Sequence, residues 1–80
     1  MLGKRKNPPN IAFGIVLREL RLKSGLSQEN LGFAADLQRN YISLLELGQN
    51  QPTITTIFKL ASALEIKPSD LIKLVEVEIK

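Results

Sequence analysis

The sequence predicts an all-α protein: a compact five-helix bundle that ends either in a short strand or in a helix extension. Three observations carry this. Apolar residues recur at three- and four-residue spacing, as in Phe13, Leu17 and Leu20 or Ile57, Leu60, Ala61 and Leu64. Residues that start helices, Ser27, Thr53 and Pro68, stand just ahead of such runs, and Gly25 and Gly48 stand just behind two of them. Eighty residues with a 44% hydrophobic fraction are enough for one small core and argue against disorder.

In chain order, residues 1–10 (MLGKRKNPPN) read as a flexible basic arm, because Pro8 and Pro9 disfavour regular hydrogen-bonded structure. Asn10 can cap a first helix spanning about Ile11 to Ser24, with Phe13, Leu17 and Leu20 inward and Val16 at the edge of the stripe. Gly25 ends it, preceded by Lys23, a cation suited to the negative end of the helix dipole. Ser27 then caps a second helix, Gln28 to Ala35, which buries Leu31 and either Ala34 or Ala35. Gly32 provides a small residue for a close helix crossing, at some cost in helix propensity. A tight turn follows at Ala35, Asp36 and Leu37, where aspartate tolerates positive φ better than most residues.

The third helix runs from about Gln38 to Leu47. It turns Ile42 and Leu45 inward and Arg39, Asn40, Tyr41, Ser43 and Leu44 outward, and Gly48 stops it. After Pro52, Thr53 caps a fourth helix whose stripe Ile54, Ile57, Leu60, Ala61 and Leu64 closes the core and ends near Leu64 or Glu65. A fifth begins near Pro68, a residue favoured in the first turn. Its tail VEVEIK suits a strand through Val75, Val77 and Ile79, or a continuing helix through Leu71, Leu74 and Val75.

Composition removes several function classes. The chain has no cysteine and no histidine, so it lacks thiolates, disulfides, the commonest metal ligand and the commonest general base. No carboxylates cluster on one face, so an enzyme is not expected, and no cofactor is implied. The apolar runs are too short for a membrane span, and no apolar segment of a signal peptide follows the basic start. A cytoplasmic protein is expected. Charge is uneven: residues 1–26 carry six basic groups against one acidic, residues 27–55 one against three, and residues 56–80 balance. A basic first third suits phosphate contact.

A short helix rich in small residues, a sharp turn and a second helix with a polar tip, over residues 28–47, describe a helix-turn-helix. The run from Arg18 to Leu64 resembles the phage repressor/Cro (Xre) type of helix-turn-helix domain. The matching residues are Arg21, Gly25, Leu26, Ser27, Gln28, Leu31, Ala34, Tyr41, Ile42, Glu46, Gly48, Pro52, Thr53, Leu60, Ala61 and Leu64. Within that family it is similar to the small controller proteins of restriction–modification systems, which share the RNYIS-like start of the second motif helix. The resemblance implies a five-helix domain over residues 11–80 that binds double-stranded DNA, nucleoid-associated within the cytoplasm. It also implies an ion pair between Arg21 and Glu46, tying the first helix to the end of the third.

In that reading the third helix enters the major groove N-terminus first, where base edges display distinct donor and acceptor patterns. Arg39 is then the leading base reader, its fork matching guanine N7 and O6, with Asn40 for adenine or a phosphate. Gln38 reaches a base or a phosphate, Ser43 lies one turn on, and Leu44 could meet a thymine methyl. Phosphate contacts are expected from Ser27, Gln28, Tyr41, Asn50 and Gln51, and from Lys4, Arg5 and Lys6 if these follow the DNA backbone rather than solvent. One domain reads few base pairs, so a homodimer on a pseudo-palindromic operator is expected. Residues 68–80, through Leu71, Leu74, Val75, Val77 and Ile79, expose more aliphatic surface than a monomer of this size needs and are the expected dimer segment. If the protein activates transcription, RNA polymerase is a further implied partner. The alternative is an antitoxin-like module that binds a partner protein, with DNA binding secondary.

Overall fold

The computed structural model describes residues 7–79, and among them the chain forms five helices and no strand: α1 Pro9–Lys23, α2 Gln28–Ala35, α3 Arg39–Glu46, α4 Ile54–Ala63 and α5 Pro68–Ile79. α1 packs on both α3 and α5, α2 lies against α3 and α4, and α4 closes onto α5. The core sits where these helices converge, and Leu17, Leu31, Ile42, Leu45, Leu60 and Leu71 are its largest fully buried side chains. Each removes enough apolar surface from water to contribute roughly 1.5–3 kcal/mol.

The boundaries follow local chemistry. Ser27 Oγ accepts from the Asn30 amide at 3.0 Å, and Thr53 Oγ1 accepts from the Thr56 amide at 3.1 Å, so each satisfies one of the orphan N–H groups of its helix. α2 ends at Asp36, which adopts the left-handed conformation (φ 58°, ψ 48°) and lets the Leu37 amide reach the Gly32 carbonyl at 2.8 Å. That turn folds back so closely that a Cβ on Gly32 would lie 2.6 Å from the Leu37 carbonyl oxygen. The small residue is required by the turn itself as much as by the helix crossing. α4 stops at Ala63, with Glu65 in the left-handed region (φ 58°).

Several expectations are corrected. α1 begins at Pro9 rather than Ile11, because a proline in the first helical turn gives up an N–H that has no partner there anyway. Asn10 is therefore inside the helix, and its amide donates to the Gly48 carbonyl at 2.6 Å, pinning the start of α1 to the end of the helix-turn-helix. Val16 lies in the core, and Leu20 is the partly buried edge. Of the two alanines, Ala35 is buried and Ala34 exposed. Ile54 is 70% exposed, since it opens α4 beyond the reach of the neighbouring helices. The tail is helical to Ile79: Leu71 and Val75 recur at i and i+4 toward the core, and no strand among the described residues offers a pairing edge. Leu71 and Val75 are thereby withdrawn from any exposed dimer contact, because they are core residues of the monomer.

The closest approach between helices falls at a residue the sequence pattern leaves unmarked. Gly14 lies mid-α1 against the backbone of α3, where an added Cβ would sit 2.5 Å from the Leu45 carbonyl oxygen and 2.6 Å from that of Glu46. Without a side chain at Gly14, α1 lies directly on the last turn of α3.

Candidate nucleic-acid interface

The fold divides α3 into two faces. Ile42 and Leu45 are buried, whereas Arg39 and Asn40 are exposed and Ser43 and Leu44 half-buried. Those last four side chains line one shallow open groove along the helix. Gln38 precedes them as the N-cap residue, in extended conformation (φ −77°, ψ 147°), with its side chain making no capping bond and exposed to solvent. The five residues expected to face bases therefore share one outward surface, at or near the positive end of the α3 dipole.

A buried polar cluster holds the other end of this helix. Arg21 Nε donates to Glu46 Oε2 at 2.6 Å, and Arg21 Nη2 donates to Glu46 Oε1 at 2.9 Å, a bidentate pair. Arg21 Nη1 donates to the Leu26 carbonyl at 2.9 Å, and Gln28 Nε2 donates to Glu46 Oε1 at 3.1 Å. The pair therefore ties α1, the α1–α2 loop, α2 and α3 at one point. Both side chains are nearly sealed from water, Arg21 at 9% and Glu46 at 3% exposed. The hydrogen bond from Glu46 holds the Arg21 guanidinium above its usual pKa, burial pulls it the other way, and the charge of Glu46 adds to the rise. Among the described residues no buried polar side-chain atom lacks a partner.

The expected phosphate contacts divide. Gln28 sits at the first turn of α2 as expected, but its amide nitrogen is committed to Glu46, which makes it part of the frame. Periodicity alone could not reveal this, because it depends on where α3 ends in space. Tyr41 is half-buried, its hydroxyl 3.4 Å from Thr56 Oγ1, and this contact holds the first turn of α4 to α3. Ser27 uses its oxygen as a cap and remains exposed; Asn50 and Gln51 are exposed in the loop between α3 and α4. Lys4, Arg5 and Lys6 lie outside the described residues. Among the described residues no cluster of metal-ligating side chains occurs, and no helix is long and apolar enough to cross a membrane.

An exposed polar helix face carried on a rigid helix–turn–helix frame defines a class of protein, and comparison with known proteins gives the same one. A family model described as helix-turn-helix matches residues 17–71. The chain belongs to that helix-turn-helix family, in its Xre type, and is a DNA-binding transcription regulator. Its relatives are restriction–modification controllers. The control protein C.BamHI of Bacillus amyloliquefaciens is 42% identical over 67 residues, covering 82% of this chain and 83% of that protein. The restriction-modification controller C.AhdI from Aeromonas hydrophila superposes with a TM-score of 0.74 at 48% identity, over 76% of this chain and 92% of its own. The controller C.Esp1396I, solved as a tetramer on its natural 35 base-pair operator, superposes with a TM-score of 0.83 at 26% identity, over 92% of this chain and 97% of its own.

Proposed function

We propose that this protein is a sequence-specific regulator that binds double-stranded DNA as a homodimer on a pseudo-palindromic operator, with α3 as the recognition helix in the major groove. Its role is that of a control protein for a restriction–modification system. The observation that carries this reading is the outward face of α3. Gln38, Arg39, Asn40, Ser43 and Leu44 lie together and outward, while Arg21, Gln28 and Glu46 fix the helix behind them. Arg39 reads guanine, Asn40 reads adenine or holds a phosphate, and the exposed Ser27, Asn50 and Gln51 contact phosphates on either side. Tyr41 can add its hydroxyl to a phosphate by giving up the long contact to Thr56. Lys4, Arg5 and Lys6 add charge along the backbone. The tetramer seen for C.Esp1396I on one operator supports a multimeric mode of binding.

Selection of sites from random duplex DNA tests this directly. A two-fold symmetric site with half-sites about one helical turn apart, and affinity that falls steeply with salt, is the expected result. Arg39→Ala should then cost about 1–3 kcal/mol and relax preference at one base pair of each half-site. Weak binding indifferent to sequence from folded protein would instead favour a protein-binding module.

A further inference from the structure

The dimeric reading above leaves open which surface joins the copies, and the structure narrows it. We infer that the second copy docks at the corner between α3 and α4, on Leu47, Ile54 and Phe58, and that the outer face of α5 stays free. This rests on the proposed dimer and assigns its interface.

Three independent features converge on that corner. The first is exposure: Leu47 is 61%, Ile54 70% and Phe58 57% exposed, and Ile54 and Phe58 lie one helical turn apart on the same side of α4. Large aliphatic and aromatic side chains left in water on one edge mark a contact surface.

The second is charge. Residues 47–58 contain no charged side chain in a chain that is 24% charged. Around a two-fold axis each residue meets its own copy or a near neighbour of it, so like charges close to the axis repel. The α3–α4 corner has none to oppose. On α5, Lys73 and Glu76 are exposed among Ile72, Leu74 and Val77, and Glu19, Lys23 and Glu78 rim the groove between α1 and α5.

The third is distance. Recognition helices in successive major grooves lie about 34 Å apart, so each must stand roughly 17 Å from the axis. Helix axes pack about 8–10 Å apart. α4 is joined to α3 by the short loop that follows it and held there by the contact between Tyr41 and Thr56. An interface on the outer side of α4 therefore places α3 roughly 12–15 Å from the axis, close to the requirement. α5 packs on α1 and α4, one layer further away, and an interface on its outer face would place α3 more than about 20 Å from the axis, splaying the two helices beyond one turn of DNA.

Analytical ultracentrifugation of full-length Ile54→Glu and Phe58→Glu, beside Ile72→Glu and Val77→Glu, tests the assignment. The α4 substitutions should raise the dimer dissociation constant at least about 30-fold, the threshold for a central interface residue. Circular dichroism of dilute protein should stay unchanged, because the side chains replaced are already more than half in water. Affinity for a single half-site should be unaltered while affinity for the paired site falls. The milder Ile54→Gln should move in the same direction with less effect, and keeps the test valid if a glutamate disturbs folding. Dimers that survive all three α4 substitutions, or that dissociate on α5 substitution instead, would overturn the assignment. A wild-type chain that stays monomeric both free and on DNA would refute the dimeric reading itself, a separate outcome.

Discussion

Replacing Arg21 with methionine would remove the centre of the cluster that holds α3 in place. The substitution keeps most of the aliphatic bulk and deletes two of the three hydrogen bonds to Glu46, leaving that carboxylate 3% exposed with Gln28 as its remaining donor. It also orphans the Leu26 carbonyl from its side-chain donor. Breaking a buried pair from one side costs about 3–5 kcal/mol. A domain of this size has a total stability of only about 4–12 kcal/mol, so Arg21→Met should be near or past the threshold of folding. At about 4–8 °C per kcal/mol, the melting temperature should fall by at least about 12 °C. The double variant Arg21→Met with Glu46→Leu should recover most of that loss, because no unpaired charge stays buried. Thermal and urea melts of both single variants and the double, followed by circular dichroism, give the coupling energy. If Arg21→Met melted within about 4 °C of the parent, or if the double variant were no better than the single, the pair would not be the fastening described here. The effect should not depend on ordinary pH. A cation whose folded pKa is raised contributes fully below its unfolded value and is lost only as pH rises through the folded one. The Arg21 contribution should therefore be constant from about pH 6 to pH 10.

Two further substitutions probe the frame. Gly14→Ala would gain helix propensity in isolation, yet its Cβ would meet the carbonyls of Leu45 and Glu46 at 2.5 and 2.6 Å, so a net loss of about 1–3 kcal/mol is expected in urea melts. Because the displaced segment is α3, operator affinity should fall with it. Thr53→Ala removes the cap of α4 and the donor to Thr56, and should lower stability by about 1 kcal/mol with little change in DNA preference.

What the chain reveals before folding is mostly local. Ser27, Thr53 and Pro68 announce helix starts through chemistry that acts within three residues, and Asp36 could be placed in the turn because few other residues accept its backbone angles. The Arg21–Glu46 pair was visible through family resemblance, not through spacing, since 25 residues separate its members. Features that depend on which helix lies across which were hidden. Gly14 looks like a propensity defect until α3 is seen to cross it. Ile54 belongs to the apolar phase of α4 but projects past its neighbours, whereas Leu71 and Val75 turn into the core. Periodicity gives the phase of a stripe and says nothing about how far the covering helix extends. Gln28 shows the same limit at the interface: its position at the start of α2 was legible, and the carboxylate that captures its amide was not.

The two faces of α3 share no residue. Ile42, Leu45 and Glu46 fasten the helix, and Arg39, Asn40, Ser43 and Leu44 point away from those attachments. Selection on folding and selection on target preference therefore act on separate positions of a single eight-residue element. The outward set behaves as an interchangeable cassette. A lineage can move to a new DNA target through a few side-chain replacements while the scaffold keeps its stability, and an engineer can graft a different outward set onto the same frame.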